Sequence, residues 1–269
     1  MSEKTARELA FLRDLYIDND WTARFTNVLD ENLILPEEGK FLYVEPGSGN
    51  HLLELREKLS DEVELFSVHS DIELLRIADA KAHAVKADVD FQRSENNALP
   101  FPDQEFIAII ADAAFVTLQD LPGFLQEITR ITAVDGFVNF FLPTAGSFGE
   151  FFSLFWEALY TTGSAELGAQ IEDFIKEIPT VSQIEEIAAS AGLKNVASTT
   201  KLEHFEYDNG SEFMNSFLMT EFLLPHWLGF LTAEQKEKIV PEIIRTIDED
   251  RGEMTFRFSI KATLVNGQK

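Results

Sequence analysis

The sequence predicts an α/β protein built on a mostly parallel sheet with helices on both faces. Three observations carry this. From Phe41 onward, short apolar strand candidates alternate with helix candidates of amphipathic spacing. The first strand runs straight into a glycine-containing turn, Leu42 to Asn50 (LYVEPGSGN), and then into a helix. The most apolar strand candidate of the chain, Phe106 to Ala111 (FIAIIA), reads as a central strand that Asp112 ends.

Taken in order, Thr5 to Leu15 has helical spacing, with Leu9, Phe11, Leu12 and Leu15 apolar. Trp21 to Leu29 suggests a second short helix, and Pro36 and Gly39 punctuate the chain before the first strand, Phe41 to Val44. Gly47 and Gly49 permit positive φ and a close approach of ligand to backbone. Asn50 is placed to cap a helix running to about Leu59, whose free amides would face whatever lies over the turn. Val63 to Val68 reads as a second strand ending at His69, followed by a helix from Asp71 to about Ala84. A third strand is expected in the second half of Val85 to Gln92. After the turn-rich link Ala98 to Asp103 and the fourth strand, Asp120 is placed to cap a helix reaching Thr132, and Gly136 to Leu142 is a fifth strand stopped by Pro143.

The second half changes character. Ser147 to Tyr160 is an aromatic helix candidate, and Thr180 with Gln183 forms a capping box for a helix closing at Gly192. Asn195 to Tyr207 is a sixth strand; Ser211 to Leu224 and Thr232 to Asp250 are helical candidates. Met254 to Val265 alternates, with Phe256, Phe258, Ile260, Ala262 and Leu264 on one face, and forms a last strand. The expected organisation is a helical N-terminal cap over residues 1–39 and an α/β domain over 40–269, with a helical insertion at about 208–252.

Composition narrows the function. With 22 basic and 47 acidic side chains the net charge is −25, which repels polyanions and argues against a nucleic-acid partner. There is no cysteine, so disulfides, thiolate metal sites and a cysteine nucleophile are excluded. The polar N-terminus and the interrupted apolar stretches lead to the expectation of a soluble cytoplasmic protein with no membrane span.

The order of elements and three motifs resemble the class I S-adenosylmethionine-dependent methyltransferases. Val44 to His51 (VEPGSGNH) resembles the family's first motif, with Glu45 on its acid and Gly47 and Gly49 on its first two glycines. Asn97 to Phe106 (NALPFPDQEF) matches the lead into strand four, and Phe124 to Pro143 matches the E-x-x-R helix and strand five. The resemblance implies a Rossmann-like seven-stranded sheet in the order 3-2-1-4-5-7-6 with the last strand antiparallel. It also implies S-adenosyl-L-methionine as cofactor. By position, Glu45 would attract the α-ammonium of the cofactor, and Glu95 and Asn96 would lie near the adenine amino group. His69 stands where the family has the ribose-binding acid, with Ser70 or Asp71 beside it to help. Other departures are His51 in place of the third glycine and Ile107 in place of the acid that follows Phe106.

Each candidate has a structural counterpart. Gly47 and Gly49 also suit a plain strand-to-helix turn, Glu45 a solvated loop, His69 a strand end and Asn96 a turn. Asp112 faces the expected reaction zone, yet a strand-end Asp is also a common cap. Tyr16 and Trp21 suit a cofactor cover or core anchors, and Phe148, Phe151, Phe152, Phe155 and Trp156 recur at helical spacing, the pattern of a core face. His226 is a second catalytic candidate, a general base for a hydroxyl or amine acceptor, beside its structural role next to Trp227. No histidines pair at metal-ligand spacing; G-x-S-x-G is absent, and the turn at Gly47 lacks the third glycine of a dinucleotide fingerprint. The expected function is methyl transfer from S-adenosylmethionine to a small, partly apolar acceptor, resting on alignment and water exclusion. The alternative is a catalytically inactive methyltransferase-like binding or scaffold protein. The phenylalanine-rich second half suits an acceptor pocket or a homodimer contact equally.

Overall fold

The computed structural model describes residues 4–94, 98–250 and 254–269. Its sheet has seven strands in the order β3-β2-β1-β4-β5-β7-β6, as the sequence led us to expect. Two helices precede it: α1 (Ala6–Tyr16), opened by a Thr5–Glu8 capping box, and α2 (Ala23–Asp30), with a π-helical turn, Asp18–Thr22, between them. The first half of the sheet is laid down as β1 (Gly39–Val44), α3 (Asn50–Lys58), β2 (Val63–His69), α4 (Ile72–Val85), β3 (Asp90–Arg93), β4 (Phe106–Asp112), α5 (Leu121–Ile131) and β5 (Thr132–Pro143). There follow α6 (Gly149–Thr161), α7 (Gly168–Glu177), α8 (Val181–Ser190), β6 (Lys194–Tyr207), α9 (Gly210–Asn215), α10 (Leu224–Trp227), α11 (Ala233–Asp250) and β7 (Phe256–Gln268).

The pairs β1–β2, β1–β4, β2–β3 and β4–β5 are parallel, so β1, β2 and β4 end on one edge at Val44, His69 and Asp112. The strand β7 runs against both its neighbours. On the β5 side, Asp135 N–H donates to Lys269 C=O and Thr144 N–H to Lys261 C=O, a pairing that descends one chain as it climbs the other. On the β6 side, Thr200 meets Thr263 at 2.8 Å and His204 meets Ser259 at 3.1 Å in the same sense.

The chain divides into two compact units, one of Pro143–Pro179 with Leu202–Lys261 and the other of the remainder. The larger unit is built on strands apolar on both faces: Phe41 to Val44 and Ile109 to Ala111 are at most 1 % exposed. Leu125, Ile128 and Ile131 of α5 cover one face of them. Burying each such large side chain contributes roughly 1.5–3 kcal/mol. Arg130 of α5 fixes the link before β4: its guanidinium donates to the carbonyls of Leu99 (3.2 Å) and Phe101 (2.9 Å) and to the carboxylates of Asp103 (2.8 Å) and Glu127 (2.9 Å). In the smaller unit the aromatic stripe of α6 packs inward, with Phe151 stacked on Trp227 at 4.8 Å and Phe148 on Phe258 at 5.5 Å.

Three local expectations need correction. Asn50 does not cap α3: Gly49, at φ 85°, holds the N-cap position without a side-chain bond, and the Asn50 side chain turns instead to Asn19 and Lys81. Asp120 starts α5 but makes no capping bond, because its carboxylate accepts from the Thr117 hydroxyl at 2.7 Å. The helix expected over Ser211 to Leu224 is broken: α9 ends at Asn215, a π-helical turn spans Leu218–Leu223, and Pro225 stands in the first turn of α10, where its missing N–H costs nothing. Among the described residues no helix is long and apolar enough to cross a membrane.

Candidate active site

The carboxyl ends of β1, β2 and β4 surround a cavity of about 290 Å³ in the larger unit. One side is lined by Glu45, just after β1, by His69 at the end of β2 and by Ser70 and Asp71 beyond it; Asp112 stands at the end of β4. The other side is the segment after β4, chiefly Phe115, Val116, Asp120 and Phe124, and Arg13 of α1 completes the wall.

Glu45 leaves β1 at φ 57°, a conformation uncommon for a residue with a side chain. Its carboxylate spans to the end of β2, accepting from Ser70 N–H at 2.8 Å and lying 3.0 Å from His69 Nδ1. Burial raises the Glu45 pKa, but the His69 and Ser70 contacts outweigh it and hold the group below its ordinary value. Two partners converge on His69 Nδ1, since Asp71 N–H also points at it from 2.9 Å. A proton on Nδ1 is donated to the carboxylate, whereas a ring with its proton on Nε2 alone leaves Nδ1 to accept from the amide. Nε2 itself is buried with no partner among the described residues.

Asp112 is 5 % exposed. Its Oδ1 accepts from Ala114 N–H at 2.8 Å, while its buried Oδ2 has no partner among the described residues. Burial pushes its carboxyl up from 3.8 to about 7, against the opposing pull of Arg13 and the Ala114 amide.

The glycine turn lies outside the cavity lining. Gly47, at φ 60°, faces the buried carboxylate of Asp18, which a Cβ on Gly47 would meet at 2.6 Å. That carboxylate accepts from Ser48 N–H at 2.5 Å and lies 3.4 Å from Arg13 Nε. Around it, the Ser48 hydroxyl donates to Asp14 at 2.6 Å, and Lys81 of α4 bonds Asp14 and, at 2.5 Å, the Asn50 side-chain oxygen. Gly49 allows α3 to press on α4, where a Cβ would meet Ala78 at 2.8 Å.

Of the residues singled out from sequence, Glu45, His69, Ser70 and Asp112 thus come together around one cavity, whereas Gly47 and Gly49 form the adjoining turn. Glu95 and Asn96 lie outside the described residues. His226 belongs to the smaller unit and is exposed, with Nε2 2.8 Å from Glu177 Oε2 and its ring 5.0 Å from that of Phe174; it is not a lining residue. The ring of His51 points away from the cavity, bonding the buried Tyr43 hydroxyl at 3.1 Å and Asp30 at 3.0 Å. The His51 bond, aided by Lys58 and opposed by partial burial, draws the Asp30 carboxyl down to about 2. Nothing in the sequence pattern singles out Arg13, Asp18, Phe115 or Phe124 as site residues. Among the described residues no group of three or more His, Asp or Glu side chains is placed to hold a metal ion.

A family profile described as "Methyltransferase domain" matches residues 42–140, the span that contains every cavity-lining residue except Arg13. A demethylmenaquinone methyltransferase of Deinococcus radiodurans is 23% identical over 164 residues, 58% of this chain and 68% of that protein. Among solved structures, the YcgJ protein of Bacillus subtilis superposes with a TM-score of 0.60 at 18% identity, over 92% of this chain and 98% of its own. A Haloferax volcanii protein, solved in complex with the Trm112 methyltransferase activator, gives 0.55 at 17% identity over 100% of this chain and 99% of that one. With this profile match over residues 42–140, this sheet order and this placement of the strand ends, the chain is similar to the class I S-adenosylmethionine-dependent methyltransferases.

Proposed function

We propose that the protein transfers a methyl group from S-adenosylmethionine to a small, partly apolar acceptor. The observation that carries this reading is the meeting of Glu45 and Asp112 around one cavity at the ends of β1 and β4, where a ligand bearing positive charge is favoured. The chemistry of the wall fits the cofactor. Glu45 is the partner of its α-ammonium, and His69 and Ser70 serve its ribose. Asp112 lies toward the sulfonium. Glu95 and Asn96 stay with this proposal as residues near the adenine. The cavity, at about 290 Å³, is at the small end of ligand sites, which run from roughly 300 to 1,000 Å³. Entry over Gly47 therefore requires the Asp18 carboxylate to leave Ser48 N–H, which extends the cavity across the turn.

When bound, the cofactor supplies an electrophilic methyl: the acceptor lone pair bonds to carbon as the carbon–sulfur bond breaks and its electrons stay on sulfur. The residues of the chain bind, align and exclude water, which suffices for large accelerations. A net charge of −25 opposes a polyanionic acceptor, and we place the protein in the cytoplasm. Isothermal titration with S-adenosylhomocysteine tests the reading. Saturable heat is expected; its absence at millimolar ligand refutes it.

A further inference from the structure

We propose that the methyl acceptor is a small primary amine that enters as its ammonium ion, and that Asp112 Oδ2 receives its proton. The inference rests on the methyl-transfer reading and adds the acceptor class. It starts from an unanswered group: a carboxyl oxygen with almost no exposure and no partner among the described residues, at the edge of a cavity. A buried acceptor left unmatched is costly, so a site that retains one gains when a donor arrives. The charged groups around Asp112 are Arg13 of α1, Asp18 of the π-helical turn, Glu45 after β1, His69 at the end of β2, and Asp71 and Asp120 across the cavity. Carboxylates outnumber cations in this set, so the field favours a cationic visitor over a neutral one. The wall after β4 adds Phe115, Val116 and Phe124, which accept an apolar chain.

An ammonium has no lone pair and cannot attack carbon. Transfer of one N–H proton to Oδ2 forms an O–H bond there and leaves the N–H electron pair on nitrogen as the nucleophile. After methyl transfer the secondary ammonium product departs, and Asp112 returns its proton to solvent. Burial suits the carboxyl to this exchange, because it holds the group near neutrality.

The test is titration of ethylamine, butylamine and benzylamine, each against the matching alcohol, into protein saturated with S-adenosylhomocysteine. Amines are expected to bind at least about tenfold more tightly than the alcohols, and Asp112→Asn to lose about tenfold in amine affinity. Equal affinity for amine and alcohol, no amine binding, or full amine affinity in D112N overturns the proposal. Should D112N fail to fold, the wild-type protein decides: amine affinity should rise between about pH 5.5 and pH 8 as the carboxyl ionises, and a flat profile refutes the assignment. Failure to bind S-adenosylhomocysteine sinks the wider reading; binding it without preference for amines sinks this one alone.

Discussion

Asp112 should make the protein less stable as the pH rises, and Asp112→Asn should remove that dependence. The carboxyl titrates at 3.8 when free and at about 7 in the fold. A raised acid favours the folded state fully below its unfolded value, and that advantage drains away as pH climbs through the folded value. At 1.36 kcal/mol per pH unit, the displacement amounts to ~4 kcal/mol. By about pH 5 a third or so is spent, so ~3 kcal/mol is lost between about pH 5 and pH 8. Asparagine keeps an oxygen for the Ala114 amide and carries no charge at either pH. The stability of D112N relative to wild type should therefore grow by ~3 kcal/mol over that interval, a relative gain of roughly 6–12 °C in melting temperature. Thermal unfolding of both proteins at the two pH values measures it; other titrating groups cancel in the difference. A difference that does not change with pH refutes the buried, partnerless carboxyl.

Three further outcomes are expected. His51→Ala should cost about 2–3 kcal/mol in urea unfolding, because the buried Tyr43 hydroxyl loses its partner; S-adenosylhomocysteine affinity should not move, and a loss of it would contradict the outward placement of the ring. Glu45→Gln should keep the Ser70 bond yet weaken S-adenosylhomocysteine about tenfold or more, with unchanged calorimetric binding as the contrary result. Asp18→Ala should strengthen the same ligand by a few-fold, since it frees Ser48 N–H and raises the fraction of open turn; weaker binding would make Asp18 a ligand contact instead of a competitor.

What the sequence disclosed followed the range of the interactions. The strand β4 was legible because Phe106 to Ala111 is apolar on both faces, and α8 because Thr180 and Gln183 cap it within one turn. Glu45, His69 and Asp112 were legible as strand ends, since a parallel sheet gathers those ends on one edge. Asp18 was not legible: it meets Ser48 thirty residues away, and nothing in the pattern around either residue encodes the meeting. Arg13 likewise reads locally as a polar helix position and reaches the cavity only through tertiary packing. The helix α7 is masked in the sequence because glycines at 163 and 168 flank its start, although Ile171, Phe174 and Ile175 carry a helical period.

Arg130 carries a lesson about signatures. It belongs to the E-x-x-R stretch that helped betray the kinship of this chain, yet it touches no wall of the cavity. Its work is that of a rivet: one planar cation gathers two main-chain oxygens and two acids from either side of a proline-rich corner. A lysine there would keep the charge and forfeit the fork, letting the corner sag while the sheet stood. The residue that most readily announces such a fold can thus be masonry, and a search for chemistry guided by signatures alone would stop at the wrong door.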